Sequence, residues 1–244
     1  MLRHFAGCII AASLASTADA QDHLEPEDSV YTRWYGHELD QYESIVVSKF
    51  KDSFDHGYIA RAIVIPSFEP EWAVAIQQHE EKFSLLYLKP ETHLWLYEVL
   101  RDYEAGRVTS RDLDGNDTTQ KEMQELRERL IVPLDEVKVE RCEFPVDAPT
   151  GMRLLTLWKT ALLQTRFPDK RRIGFDGVTY HFSGNFDQGA MAGKIWRPAK
   201  DSPMGKLNLI IDQLRAACVA KDASILEDVH LRAVALCAEI GCEG

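Results

Sequence analysis

The chain has 244 residues, of which 28 are Lys or Arg and 39 are Asp or Glu, so its formal net charge at pH 7 is -11. This acidic balance disfavours nucleic acid and anionic membrane surfaces as partners, because like charges repel. The same charge would attract a basic protein partner. After residue 20, no apolar run approaches the roughly 18 residues needed to cross a bilayer, so we expect no membrane span.

The first twenty residues are typical of a secretory signal peptide. Arg3 precedes the short apolar run AGCIIAASLAS, and Ala18-Asp19-Ala20 has the small-x-small pattern that signal peptidase accepts. We therefore expect cleavage near Ala20 and a periplasmic or secreted product formed by residues 21–244. Residues 21–32 are polar and acidic, which predicts a loose mature N-terminus.

The first half of the remaining chain predicts one helix followed by a series of strands. Apolar residues recur every three or four positions over residues 37–54, which indicates a helix. Short runs rich in branched and aromatic residues, separated by Pro and charged breaks, then predict antiparallel strands at 58–68, 71–78, 82–90 and 93–101. Trp72, Trp95 and Trp196 are predicted to lie in the core.

The second half alternates between helices and strands. Thr118 or Thr119 begins a predicted helix over 121–130, and residues 137–144 alternate as a strand. The remaining predicted elements are an amphipathic helix from Thr150 to before Pro168, strands at 172–183 and 190–198, a helix from 206 introduced by Ser202 and Pro203, and a helix over 224–239. These elements predict a single α+β domain, an antiparallel β-sheet packed against amphipathic helices, with a helical, cysteine-containing C-terminal tail from about residue 203 to 244.

Four cysteines follow the predicted cleavage site: Cys142, Cys218, Cys237 and Cys242. An even number in an oxidising compartment predicts one or two disulfides, and four cysteines allow three complete pairings. The sequence does not choose among these pairings. Zinc would favour a closer C-x-x-C pair, and the eight histidines form neither an H-x-x-x-H nor an H-E-x-x-H motif. We therefore expect no metal and no other cofactor.

One segment holds the densest group of side chains with chemical potential: Asp176, Thr179, Tyr180, His181 and Ser183. Asp176-Gly177 is a strong hairpin-turn dipeptide, so we predict a turn there. In the following strand, Tyr180 points to one face with Val178 and Phe182, whereas Thr179, His181 and Ser183 point to the other. Alternate residues of a strand are about 7 Å apart, too far for a Ser183–His181 nucleophile–base pair. We predict a binding role for the segment.

Residues 112–117 begin like a calcium loop, with oxygen-bearing side chains at Asp112, Asp114 and Asn116. The match then ends, because Asp117 stands where the loop needs Gly, and Met123 stands where it needs a bidentate Glu. A solvated turn is the favoured interpretation. The sequence also contains no G-x-S-x-G elbow and no phosphate loop of the G-x-x-x-x-G-K-S/T type.

A further pattern comprises Leu163-Gln-Thr-Arg166, Asp176-Gly-Val-Thr-Tyr-His-Phe182, Ala192-Gly193, Trp196-x-Pro198 and Ser202. With it, residues 154–214 resemble a group of uncharacterised exported proteobacterial proteins. The resemblance implies a small secreted α+β domain and no established activity, so it assigns no catalytic residue. Asp176-Gly-Val-Thr-Tyr180 is also similar to the Ser-Gly-x-x-Tyr loop of small periplasmic lysozyme inhibitors, which insert that loop into the cleft of a basic enzyme.

Besides a purely structural envelope component, two hypotheses about function follow from these features. The first is a non-enzymatic binding, inhibitor or immunity-type protein with a basic partner, because the chain is acidic and contains no complete catalytic motif. The alternative is a cell-envelope hydrolase that uses His181, with Asp176 and Tyr180 as further candidates. A buried carboxylate beside His181 within a pocket would favour this alternative.

Overall fold

A computed structural model describes residues 23–27, 41–55, 57–111, 115–130, 132–168 and 176–242. Within these ranges the chain forms six α-helices and seven strands. The helices are α1 (Gln41–Lys49), α2 (Trp95–Glu104), α3 (Thr119–Arg129), α4 (Ala148–Leu163), α5 (Pro203–Ala220) and α6 (Ser224–Ile240). The strands are β1 (Glu25–Pro26), β2 (Tyr58–Pro66), β3 (Trp72–His79), β4 (Lys82–Pro90), β5 (Val139–Val146), β6 (Val178–Phe186) and β7 (Gly189–Trp196).

The strands form one antiparallel sheet in the order β1-β7-β6-β2-β3-β4-β5. Consecutive strands β2, β3 and β4 are neighbours joined by short connections, and β6 and β7 form a hairpin. Three pairs are long-range in sequence: β1 with β7, β4 with β5, and β2 with β6, in which Ile63 lies opposite His181. The predicted α+β fold with an antiparallel sheet is confirmed.

Helices α4, α5 and α6 cover one face of the sheet, here called the three-helix face. Alternate strand residues point towards them, among them Val74, Leu85 and Phe182, and these pack with Leu157 and Trp158 of α4. Each of these side chains is at most 1% exposed. Because side chains alternate along each strand, the apolar residues that were predicted to share a face lie together in a single core.

The other face of the sheet, here called the α1 face, holds a smaller core. Val46 and Phe50 from α1 and its end pack with Ile63, Leu86 and other alternate residues of β2, β3 and β4. Both faces of the central strands are therefore buried, which explains why those strands are apolar almost throughout.

Two helices begin within a few residues of their predicted starts, each at a side-chain cap. Ser202 Oγ accepts a hydrogen bond from Gly205 N at 3.1 Å, and Pro203 opens α5. Helix α4 begins slightly earlier than predicted, because Asp147 Oδ1 accepts from Thr150 N at 2.9 Å. Both caps satisfy backbone donors that a helix start leaves without an intrahelical acceptor.

Two disulfides join the four cysteines. Cys142–Cys218 ties β5 to α5 on the three-helix face, and Cys237–Cys242 closes the end of α6. This pairing fits an extracellular or periplasmic compartment, where disulfides persist. In the part of the chain that the structure describes, no helix has the length and apolar character needed to span a membrane.

The predicted strand over 93–101 is wrong, because Trp95–Glu104 is helix α2. A short apolar run does not separate a buried strand from a helix. The Glu71 carboxylate decides between them, since it accepts from Leu94 N at 2.8 Å and from Trp95 N at 3.0 Å. It thereby caps the helix from a distant part of the chain.

The predicted hairpin turn at Asp176-Gly177 is also wrong. Both edges of β6 are already paired, with β2 on one side and β7 on the other, so no earlier arm can pair with it. Residues 172–175 of the predicted strand lie outside the described residues. The hairpin turn instead lies between Phe186 and Gly189.

Residues 23–27, the described part of the segment predicted to be loose, are docked. Leu24 is completely buried in the core of the three-helix face, and its carbonyl oxygen accepts from Arg166 N at 3.0 Å. Glu25 and Pro26 add an edge strand to β7. The predicted signal peptide, residues 1–20, lies outside the described ranges.

Candidate functional site

The five predicted site residues fall into separate environments rather than one site. Tyr180 lies on the three-helix face, where its hydroxyl is 3.4 Å from both carboxylate oxygens of Asp212. Ser183 is buried on the opposite face, and its Oγ accepts from Arg61 Nη2 at 3.0 Å. The alternation of β6 predicted from the sequence is thus correct, and it separates Tyr180 from its neighbours.

His181 meets a carboxylate supplied by the N-terminal segment. Its Nδ1 lies 2.6 Å from Glu27 Oε2, and the Glu27 side chain is 2% exposed. Lys194, on the neighbouring strand β7, places its Nζ 3.5 Å from Glu27 Oε1. An imidazole held by a carboxylate in this way has a fixed orientation, as in the acid–base pairs of hydrolases.

Asp176 and Thr179 line a groove of about 490 Å³ at the end of the sheet where β2 ends and β6 begins. We call it the Trp95 groove. Its lining comes from α1, the end of β2, the start of α2, the end of α3 and the approach to β6: Tyr42, Ile65, Pro66, Ser67, Phe68, His93, Trp95, Leu96, Arg129, Asp176, Gly177 and Thr179.

Ser67 and Gly177 fasten one wall of the groove. Ser67 Oγ donates to Gly177 O at 2.9 Å and accepts from Gly177 N at 2.9 Å, and Ser67 N also donates to Gly177 O. Gly177 has φ +149, in a region that glycine adopts readily. Gly177 in the Asp176-Gly177 dipeptide therefore does adopt a backbone conformation that favours glycine, but the dipeptide forms part of the groove wall and not a hairpin turn.

Glu71 lies beneath the other wall of the groove and holds that wall through hydrogen bonds. It is completely buried, and besides Leu94 N and Trp95 N it accepts from Tyr42 Oη at 2.6 Å. His93 Nδ1 lies 3.1 Å from its Oε1. Burial alone would raise the pKa of Glu71, but the hydrogen bond and charge of His93 and the hydrogen bond from Tyr42 outweigh it, so the pKa is lowered.

Two large apolar side chains that line the groove are open to solvent. Phe68 is 80% exposed and Trp95 is 47% exposed. The prediction that Trp95 lies in the core is wrong, whereas Trp72 is buried as predicted. Trp95 is exposed because α2 turns Leu96 into the protein, and the adjacent residue of the first turn then points elsewhere.

A second hollow of about 520 Å³ continues from the Trp95 groove between α2 and α3. Trp95, Leu96 and Arg129 line both, so the two form one extended surface with Trp95 at their junction. Its lining carries charges of both signs, including Arg111, Lys121 and Glu125. The net negative charge of the chain is therefore not concentrated on this extended surface.

Sequence reasoning missed Tyr42, Glu71, His93 and Trp95 as site residues. The helical spacing of Leu96, Val99 and Tyr103 was a signal for α2 that the strand prediction passed over. For Glu71 there was no signal, because its four donors come from two other segments of the chain. Asp112 and Asp114 of the calcium-like loop lie outside the described residues, and no cluster of potential metal ligands occurs in the ranges that are described.

Comparisons with protein-family models, with curated proteins and with solved structures find no match to this chain. The structural class of this chain is therefore described from its fold and its groove. The chain is an α+β domain with two disulfides and an open groove, lined by aromatic side chains, at one end of its sheet.

Proposed function

We propose that this chain is a non-enzymatic binding protein and that the Trp95 groove is its ligand-contact surface. The observation that carries the proposal is the exposure of Phe68 and Trp95 in a groove whose two walls are fastened by hydrogen bonds, one at Ser67–Gly177 and the other at Glu71. Exposed aromatic side chains are costly in water and are typical of contact surfaces. A lining fixed before binding reduces the entropy lost on association.

The proposed site of action is the periplasm or the extracellular space. Two disulfides support an oxidising compartment. The signal-peptide pattern of residues 1–20 supports export with cleavage near Ala20. The intact mass of the exported product checks this step, because cleavage at that position removes the first twenty residues.

The net charge of -11 supports a basic protein as a partner, in an inhibitor or immunity-type role. Because the lining between α2 and α3 carries charges of both signs, the attraction of a basic partner would come from the net charge of the whole surface and not from the groove. The proposed relation to exported proteobacterial proteins stays a prediction.

Fragment mapping by NMR tests the groove directly. A library of small organic fragments is titrated into the wild-type protein and into Phe68→Ala, Trp95→Ala and Phe167→Ala. Phe167 is the matched control, since it is 80% exposed and does not line the groove. We expect the shifts to cluster at the groove in wild type and Phe167→Ala and to weaken in the other two. Shifts that cluster elsewhere, or that survive both groove variants, would contradict the proposal.

The His181–Glu27 pair supports a second candidate, a cell-envelope hydrolase. Its 2.6 Å contact orients the imidazole for acid–base work. Hydrolysis of purified cell-wall material, measured for wild type and His181→Ala, tests this function. Lost activity with an unchanged circular dichroism spectrum would support it, whereas equal rates in the two proteins would exclude a role for His181.

A further inference from the structure

Strand β5 forms one edge of the sheet, and β4 is its only neighbour among the described strands. It runs over Val139–Val146, and its register against β4 is regular along the whole length. A long, regular edge strand presents a row of N–H and C=O groups to which another strand can add. The Cys142–Cys218 disulfide ties the middle of this strand to α5, so the edge is held in place before a partner binds.

The hydrogen bond from Glu91 N to Lys138 O, at 3.0 Å, fixes which backbone groups of this edge point away from β4. Hydrogen-bonded and non-hydrogen-bonded pairs alternate along an antiparallel ladder, so Lys138 and every second residue after it bond to β4. The residues between them direct their backbone groups outward. The outward N–H groups belong to Val139, Arg141 and Glu143, and no strand among the described residues pairs with them.

The outward-directed residues include one basic and one acidic side chain, both on the α1 face of the sheet. Arg141 contacts Asp52, which follows α1, and Glu143 of its own strand. The Arg141 side chain is nevertheless 41% exposed and the Glu143 side chain 55% exposed. A further strand added to this edge can therefore reach both charges.

We propose that the β5 edge is a homodimer interface, in which β5 pairs antiparallel with β5 of a second copy and the two Cys142 residues lie opposite each other. In this register Arg141 of each copy lies opposite Glu143 of the other, so the charges alternate in sign across the interface. The outward N–H groups of both residues gain carbonyl acceptors, as does that of Val139, which lies opposite Pro145. Pro145 lacks an N–H, and as an outward-directed residue it leaves the pairing with β4 intact.

The charges on this edge select the register. A slide of two residues in one direction places Arg141 opposite Arg141 of the second copy, and the same slide in the other direction places Glu143 opposite Glu143. Like charges directly opposite each other destabilise a strand pair, so both neighbouring registers are disfavoured. A slide of one residue would set outward-directed groups against residues that already bond to β4, and the ladder could not form.

A pair of this kind is closed, because each copy uses the same edge and a two-fold axis relates them. The opposite edge of the sheet is formed by β7 and the short strand β1, whose sequences differ from that of β5. None of the residues that line the Trp95 groove lies on β5. The dimer proposal is therefore independent of the proposed groove function.

Sedimentation velocity over the micromolar range tests the proposal. About 0.15 M salt screens the general repulsion between two acidic chains. We expect wild type to form a dimer, and Arg141→Glu and Glu143→Arg each to weaken it at least about tenfold, because each change places like charges opposite each other twice. Arg232→Glu on α6 should leave the dimer unchanged. It is the matched control, since Arg232 makes an exposed ion pair with Asp228 and the change in charge is the same.

The double variant Arg141→Glu/Glu143→Arg separates the interface from the fold. It restores opposite charges between the copies, so it should recover most of the lost affinity. That recovery cannot come from the contact of Arg141 with Asp52, which the double variant also lacks. Circular dichroism of each variant checks that the monomer is folded.

Amide hydrogen exchange locates the contact. The amides of Arg141 and Glu143 should exchange slowly in wild type at concentrations where it is a dimer, and fast in the monomeric Arg141→Glu and Glu143→Arg variants, respectively at the unchanged position. A wild-type chain that stays monomeric would overturn the proposal. So would a dimer that tolerates both single variants, a dimer in which these amides stay unprotected, or a native mass equal to one copy with a different polypeptide.

Discussion

Glu71 Oε1 lies 3.1 Å from His93 Nδ1, and this pair joins the start of β3 to the start of α2. The same carboxylate caps α2 and receives the Tyr42 hydroxyl from α1. One buried acid therefore fixes three segments of the chain, and it positions the ring that faces the groove. The stability of this corner and the shape of the groove are consequences of the same contacts.

Glu71→Gln should destabilise the protein by about 3 kcal/mol, because a buried charged acceptor is lost and an amide N–H₂ then faces existing donors. The matched control is Glu69→Gln on the exposed loop nearby, which should change stability by less than about 0.5 kcal/mol. Urea unfolding at pH 7 measures both. Equal midpoints for the two variants would contradict the role assigned to Glu71.

The same carboxylate predicts a dependence on pH. The folded protein holds the pKa of Glu71 below its ordinary value, so the stabilisation is present above the ordinary carboxyl range and is lost as the pH falls through the lowered pKa. The difference in stability between wild type and Glu71→Gln should therefore shrink in acid. A difference that stays constant from pH 7 down to the acid unfolding limit would show that Glu71 does not titrate as proposed.

Asp212 should give the opposite dependence on pH. Burial raises its pKa, and the charge of Arg215 and the hydrogen bond from Tyr180 offset only part of the rise. The folded protein therefore keeps this proton to a higher pH than the unfolded chain does, and stability falls as the pH rises between the two pKa values. Asp212→Asn should remove that fall, as measured by urea unfolding at closely spaced pH values.

Tyr180→Phe is the companion variant to Asp212→Asn. It deletes the hydroxyl that lies 3.4 Å from the Asp212 carboxylate, so it should raise the pKa of Asp212 further and extend the fall to higher pH. Superimposable pH profiles for wild type, Asp212→Asn and Tyr180→Phe would show that the contact carries no such linkage.

The two disulfides should contribute unequally to stability. Cys142 and Cys218 are 76 residues apart in sequence, whereas Cys237 and Cys242 are 5 apart. In the chain-entropy model, closing the long loop stabilises by about 4 kcal/mol and the short loop by about 2 kcal/mol. Guanidinium unfolding of the two double Cys→Ser variants measures this order. A larger loss from the Cys237–Cys242 variant would reverse it.

Gly177→Ala should distort the Trp95 groove. Its φ of +149 disfavours a side chain, and an added Cβ would lie 2.3 Å from Arg197 Cδ and 2.8 Å from Trp196 Nε1. We expect a loss of about 2 kcal/mol together with weaker fragment binding. Gly189→Ala is the control, because its φ is +99 but a Cβ there meets nothing within 4 Å. Thermal unfolding and fragment titration of both variants separate backbone strain from the shape of the groove.

Some elements can be predicted from local sequence patterns, without knowing which segment of the chain they pack against. The alternation of Val178, Tyr180 and Phe182 with Thr179 and His181 predicts which side chains of β6 share a face, because strand side chains alternate in any sheet. The start of α5 is equally local, since Ser202 and Gly205 meet within one turn. These predictions are confirmed.

The sequence by itself determined the α+β class, most element positions and the four cysteines available for disulfides, because each depends on periodicity, caps or composition within a few residues. Only the tertiary structure decided that Glu71 caps the helix over 95–104, that Cys142 pairs with Cys218, and that Phe68, His93 and Trp95 line one groove. In each case the deciding contact joins residues far apart in the chain. The buried carboxylate of Glu71, 23 positions before Leu94, supplies the cap of α2, and no local pattern around Leu94 contains that information.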